Sequence, residues 1–273
     1  MPRSGAHELG DVLQIPNFLI CLCLAAAGPA KNQRDCGSPS DTRPLQVYSR
    51  AMKTAKVALF CVLAACASPL AAENFVKVDN NLVRIEEAVE GPHPPAARHR
   101  HEFNRVMIYL DGGNMTLHYD DGHKDEQHWK PGDVAWSPAD GYHRSENVGP
   151  STMHIFEVLL KNPGPMVEMK PKPEMDPVAT DPKHNILLFE NDQVRVFRCW
   201  REPGASETMH SHVGKGRAAV FLTDVDVSIK EGDGSTSELH GKAGDVHWSD
   251  GGVTHAATNL GTSKFEMIVV EVK

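Results

Sequence analysis

The sequence has little of what would make it a nucleic-acid or membrane protein. No Lys/Arg cluster is long enough to form a basic face, and the formal net charge is −8. That removes the electrostatic footprint of a nucleic-acid binder and disfavours docking on anionic lipid. No transmembrane segment is expected, because no apolar run reaches the ~20 residues that a spanning helix needs. From Glu73 onward Cys199 stands alone, so that part of the chain cannot form an internal disulfide. A single cysteine on a strand reads as a small buried hydrophobe. Aromatic residues make up only 6% of the chain, which is compatible with barrels filled by Val, Ile, Leu and Met. No stretch after Glu73 carries a helical stripe, and no Ser-His-Asp set, phosphate loop or nucleotide fingerprint is present. The partner these absences leave is a small molecule, and a homo-oligomer stays open.

The N-terminal region has a different build. Residues 52–72 read MKTAKVALFCVLAACASPLAA, with Met52, Lys53 and Lys56 ahead of an apolar run and small residues around Ala71 and Ala72. This is the pattern of a secretory signal peptide, so the protein is expected to be exported, either periplasmic or secreted. Leu63-Ala64-Ala65-Cys66 also resembles a bacterial lipobox, which would make Cys66 a lipid anchor on an outer-membrane lipoprotein. Cleavage after Ala72 and lipidation at Cys66 both remain open. Signal peptides open proteins, and residues 1–51 lack periodicity. The expectation is therefore that residues 1–51 are disordered, a misassigned upstream extension, with Met52 the true start. Peptides from before Met52 in mass spectrometry of the native protein would sink it.

The chain after Glu73 repeats itself. Leu82-Val83-Arg84-Ile85 matches Gln193-Val194-Arg195-Val196, and His99-Arg100-His101 matches His210-Ser211-His212. Gly132-Asp133-Val134-Ala135-Trp136-Ser137 matches Gly244-Asp245-Val246-His247-Trp248-Ser249, and His143 with Asn147 matches His255 with Asn259. Ordered matches at nearly one offset indicate homologous units, over 73–160 and 183–273. Between them, residues 161–182 are rich in proline, which reads as an extended, stiff linker. Within each unit the segments are short, β-like and punctuated by Gly, Pro, Asn and Asp, as in an all-β barrel or sandwich.

The second unit shows Gly204, then His210-Ser211-His212, and later Gly244, Gly252, His255 and Asn259. The first shows His99-x-His101, then Gly132, Pro138, His143 and Asn147. This resembles the two motifs of the cupin superfamily, G-x5-H-x-H-x(3,4)-E-x6-G and G-x5-P-x-G-x2-H-x3-N, over nearly all of 73–273. The resemblance implies an all-β fold of two tandem cupin barrels, double-stranded β-helices of jelly-roll type. It departs from the pattern at loop positions, where Asp250 replaces a proline, and Asp140 and His93 replace glycines. The departure that bears on chemistry is at the motif glutamate, a metal ligand in the family: counting places Arg105 there in the first unit and Arg217 in the second.

Residues two apart on a strand point to one face, so His99 aims with His101, and His210 with His212. The second motif would bring His143 or His255 across to the pair. Three imidazoles suit a divalent transition metal (Fe, Mn, Ni, Cu or Zn) and leave positions open to substrate. A guanidinium cannot ligate a cation. Arg105 and Arg217 would therefore either turn aside to an acid such as Glu102 or Glu207, or hold an anionic substrate by a bidentate contact. His247 is a further candidate, as a fourth ligand or an acid–base group of near-neutral pKa; alternation leaves open whether it faces inward. Trp136 and Trp248 read as core, and Asp120-Asp121-Gly122 and Glu231–Gly234 as hairpin turns.

Three functions fit. One is a metal-dependent enzyme of dioxygenase, decarboxylase, isomerase or lyase type acting on a small anion. Another is a metal-free binding module in which Arg105 and Arg217 hold an anion such as a sugar acid. The third is a scaffold with degenerate pockets. The second unit keeps the motif's leading glycine and adds His247, which makes it the expected active barrel.

Overall fold

The computed structural model describes residues 73–161, 172–212 and 214–273. The expected signal peptide over residues 52–72 with Cys66, residues 1–51 and the first part of the linker lie outside them. Among the described residues no helix is long and apolar enough to cross a membrane.

The first unit comprises β1 (Glu73–Asp79), β2 (Val83–Glu90), β3 (His99–His101), β4 (Arg105–Tyr109), β5 (Gly113–Tyr119), β6 (Lys124–Trp129), β7 (Val134–Ser137), β8 (Asp140–Asn147) and β9 (Met153–Leu160). A helical turn α1 (Pro177–Thr180) precedes the second unit. That unit comprises β10 (Asn185–Glu190), β11 (Val194–Arg201), β12 (His210–Ser211), β13 (Gly216–Phe221), β14 (Val225–Glu231), β15 (Thr236–Gly241), β16 (Val246–Asp250), β17 (Thr254–Asn259) and β18 (Phe265–Val272). Each unit pairs a five-stranded sheet with a four-stranded one. The orders are β1-β2-β9-β4-β7 and β3-β8-β5-β6 in the first barrel, β10-β11-β18-β13-β16 and β12-β17-β14-β15 in the second.

Alternation along the strands sends side chains to two different cores. In β4, Val106 and Ile108 point out of barrel 1, while Met107 and Tyr109 point into it. In β11, Val194 and Val196 point out of barrel 2, while Phe197 and Cys199 point in. The outward residues of both five-stranded sheets join in one apolar cluster, including Ile85, Phe156, Val220, Ile268 and Val270, all fully buried. Trp136 and Trp248 pack against this shared layer, as core residues should. At the layer's rim, the motif glycines Gly132 and Gly244 both have positive φ, of 81° and 86°. Each approaches a leucine of the other barrel, Leu222 and Leu110 respectively.

The described part of the linker is not extended. Pro173–Met175 form a 3-10 turn and Pro177–Thr180 a helical turn. Proline suits the first turn of a helix, where its missing N–H is no loss. Asp176 caps α1 by accepting from the Val178 amide at 2.9 Å. Asp120-Asp121-Gly122 and Glu231–Gly234 close hairpins, with Gly122 and Gly234 at positive φ.

Candidate functional site

β3 and β8 pair antiparallel with His99 opposite His143, and β12 and β17 pair with His210 opposite His255. Local alternation adds His101 to the first pair, and His212 follows β12 to complete the second. In each barrel one nitrogen from each of the three rings lies within 4.8 Å of the others. Ring centroids are 4.6–5.2 Å apart in barrel 1 and 4.8–5.1 Å apart in barrel 2.

The second set is the tighter and more buried. His210 Nε2 lies 3.0 Å from His212 Nε2, which lies 3.1 Å from His255 Nε2. His210 Nδ1 donates to the Thr208 carbonyl at 2.8 Å, and His212 Nδ1 faces Glu271 Oε1 at 2.7 Å. Those outer bonds to oxygen acceptors hold the ring proton on Nδ1, which leaves bare Nε2 lone pairs converging on one point. Protonation of His212 or His255 is disfavoured. Burial, Arg217 and the neighbouring imidazoles depress His212, and burial with Arg217 brings His255 down to about 3. A divalent cation fits this donor set. In barrel 1, His99 Nδ1 contacts the Ala97 carbonyl at 2.9 Å and His143 Nδ1 the Gly141 carbonyl at 3.4 Å, which orients the rings in the same way. His101 is brought down to about 3 by burial, then by Arg105 and the two other rings.

Both motif arginines enter the barrels, and neither pairs with Glu102 or Glu207. Glu102 lies on the surface beside Arg100 at 3.9 Å. Glu207 is engaged by Arg201 at 3.5 Å and by the Ala257 amide at 3.1 Å. Arg105 is 5% exposed; its Nε lies 3.5 Å from Glu157 Oε2 and 3.0 Å from the Met107 sulfur. Its Nη1 is buried with no hydrogen-bond partner, and so is Nη1 of Arg217, which is 8% exposed. Burial lowers both guanidinium pKa values, against the nearby Glu157 for Arg105 and against Glu271, Glu207 and Glu231 for Arg217. A buried cationic N–H with nothing to bond is costly. In both barrels it lines the same cavity as the histidines.

The cavities differ. In barrel 1 the space is about 660 Å³, reaching from the triad and Arg105 to Tyr109 and Trp129. In barrel 2 it is about 60 Å³, room for a few waters. His247 lines the smaller cavity but stands outside the cluster of three ligands, and burial with Arg217 lowers its pKa. Cys199 is buried, and burial with the nearby Glu207 raises its thiol pKa.

Two acids escaped the motif reading. Glu157 in β9 lies beside Arg105, and Glu271 in β18 beside His212. Burial raises Glu157 against the pull of Arg105, and raises Glu271 to about 7 against Arg195 and Arg217. The available signal was a lone acid in an otherwise apolar strand, in Ile155–Leu160 and again in Ile268–Val272.

No protein-family model matches the chain, and no curated protein matches it in sequence. Solved structures do resemble it. AerE from Microcystis aeruginosa aligns at TM-score 0.51 and 12% identity, over 74% of this chain and 97% of that one. Oxalate decarboxylase from Bacillus subtilis aligns at 0.53 and 10%, over 73% and 71%. A cupin 2 conserved barrel domain protein from Leptotrichia buccalis aligns at 0.46 and 13%, over 76% and 91%. With the sheet orders and the two sets of motif histidines, the first two of these likenesses show that the chain has the cupin fold, built twice in tandem.

Proposed function

We propose that this is an exported, metal-dependent enzyme of dioxygenase, decarboxylase, isomerase or lyase type, which transforms a small anionic substrate in barrel 1. The observation that carries the reading is the unpartnered Arg105 Nη1, buried beside three convergent imidazoles in a cavity large enough for an organic substrate. His99, His101 and His143 would hold the metal, which supplies Lewis acidity and open coordination positions when bound. Arg105 binds the anionic group and fixes its orientation. Its charge, left uncancelled by a motif glutamate, is met by the substrate. Glu157 lines the same cavity and takes up a proton more readily than an ordinary glutamate, which suits it to exchange a proton with the substrate. Oxalate decarboxylase, one of the structural neighbours, is named for a small carboxylate, in keeping with an arginine-held anion.

Barrel 2 is assigned a different part. Its triad has the donor geometry for a metal, yet its cavity has room for little beyond a few waters. The cavity volumes support barrel 1 as the place of the reaction, whereas Gly204 and His247 favour barrel 2.

The test is metal content by mass spectrometry of protein purified without chelator or affinity histidines. Two equivalents of transition metal are expected, with one lost in His99→Ala/His143→Ala and the other in His210→Ala/His255→Ala. No metal, even after reconstitution with Fe(II), Mn(II), Ni(II) and Zn(II), would leave a metal-free anion-binding module in place of the enzyme.

A further inference from the structure

The barrel 1 cavity is asymmetric from mouth to floor, and the strand register shows how. Arg105, Met107 and Tyr109 succeed one another on the inner face of β4, opposite Leu159, Glu157 and Ile155 of β9. At ~3.3 Å per residue the floor lies ~13 Å below the arginine. The lower part is walled by Ala88, Met107, Met115, Leu117, Ile155 and Trp129, with Tyr109 stacked on Trp129 at 3.9 Å between centroids. Three of the polar side chains in the lining are engaged elsewhere, while Glu157, Ser145 and the Tyr109 hydroxyl also face the cavity. Glu86 pairs with Arg84, Glu90 with His93 at 3.0 Å, and Gln127 bonds Asp125 and the Trp129 indole at 2.7 and 3.3 Å. Arg105 Nη1 is the buried side-chain donor of this lining that lacks a partner.

Barrel 2 shows what the same space looks like when side chains fill it. Where barrel 1 has Glu86, Tyr109 and Met153, barrel 2 has Phe197, Phe221 and Phe265, each at most 1% exposed. Gly241 stands at the position of Trp129, and a Cβ there would lie 2.4 Å from the Phe221 ring. The apolar lobe of barrel 1 is therefore space that the fold is able to close and here leaves open. Two methionines line it, and their flexible thioethers adapt to an irregular apolar guest.

Resting on the anion site of the preceding section, we infer that the substrate of barrel 1 is a monocarboxylate with an extended apolar tail, aliphatic or aryl-alkyl. Its carboxylate bonds Arg105 and its tail runs down to the Tyr109–Trp129 floor. Sugar acids and short dicarboxylates would leave the lobe unfilled and bury hydroxyls or a second charge against apolar walls.

The experiment is calorimetric binding to the full metal-reconstituted protein of acetate, butyrate, hexanoate, 3-phenylpropanoate, gluconate and hexanol. Affinity is expected to rise roughly fourfold per added methylene from acetate to hexanoate, with 3-phenylpropanoate at least as tight as hexanoate and hexanol far weaker. Arg105→Met should abolish binding of the acids. Glu86→Phe, which installs the residue barrel 2 carries there, and independently Ala88→Phe, should erase the gain with tail length while acetate still binds; thermal melts confirm that each variant folds. Equal affinities across the acid series, or gluconate tighter than hexanoate, would overturn the tail assignment and leave the anion site standing. Hexanol binding as tightly as hexanoate would overturn the role given to Arg105 as head-group anchor. No binding of any carboxylate, in protein that carries its metal, would overturn the anion site itself.

Discussion

The two barrels carry the same strands, the same three histidines and the same intruding arginine, yet one is hollow and the other is filled. Barrel 1 surrounds about 660 Å³ and barrel 2 about 60 Å³. Their carboxylates also part ways. Glu157 sits one inward step below Arg105, where barrel 2 has Val269; Glu271 sits beside Arg217, where barrel 1 has Leu159. In barrel 2 the acid belongs to a buried chain. Asp176 of the linker turn bonds Arg195 at 2.7 Å, Arg195 faces Glu271 at 3.5 Å, and Glu271 bonds His212 at 2.7 Å. The matching arginine of barrel 1, Arg84, stays on the surface with Asp79 at 2.9 Å. The difference teaches that a duplicated motif keeps a triad geometry while the residues around it set the space beside it. One triad faces a chamber, and the other is locked into the architecture.

The sharpest way to break this comparison is to remove its matching arginines. Arg195→Ala strands buried Glu271 and half-buried Asp176 and is expected to cost about 3–5 kcal/mol in denaturant unfolding. A cost indistinguishable from zero would mean that the buried chain is not an integral part of barrel 2. The layer the barrels share comes next. Ile108→Ala and Ile268→Ala, fully buried on opposite sides of it, should each cost about 2–5 kcal/mol. Both should lower a single cooperative transition; a second transition appearing would show that the barrels unfold separately.

The pH dependence should unite the barrels. In metal-free protein, His101 and His255 sit at about 3, below the ordinary 6.5. Below 6.5 the unfolded chain takes up protons that the folded rings refuse. The stability these groups contribute is thus present above pH 6.5 and lost as pH falls towards 3. Glu271, raised to about 7, acts in the opposite sense in barrel 2 between 4.5 and 7. His101→Asn should therefore flatten the acid limb, by about 1.4 kcal/mol per pH unit at most, and Glu271→Gln should steepen it. The smallest effect belongs to Arg84→Ala, whose surface pairs should leave the unfolding midpoint unchanged.

Much of this was legible in the chain. His99 with His101 and His210 with His212 could be paired because a strand's period of two is a local property. The repeat then supplied His143 and His255 at matching offsets. The arginines could be placed by counting, but their partners could not. Glu102 and Glu207 are near in sequence, whereas Glu157 lies on a strand that reaches Arg105 only through antiparallel pairing. Proline density in the linker was read as extension, and the structure uses Pro173 and Pro177 as helix starters instead. Gly204 and His247 favoured barrel 2 on motif completeness, a criterion blind to the phenylalanines that fill it.

The sequence alone determined the strands, the duplication and the convergence of three histidines in each unit, because these follow from short-range alternation and from repeats that can be aligned. Only the tertiary structure decided which barrel is open, which acid meets which arginine, and that two barrels share one apolar layer. Those outcomes depend on side-chain volumes and charges brought together from strands far apart in the chain, and no local pattern encodes their sum.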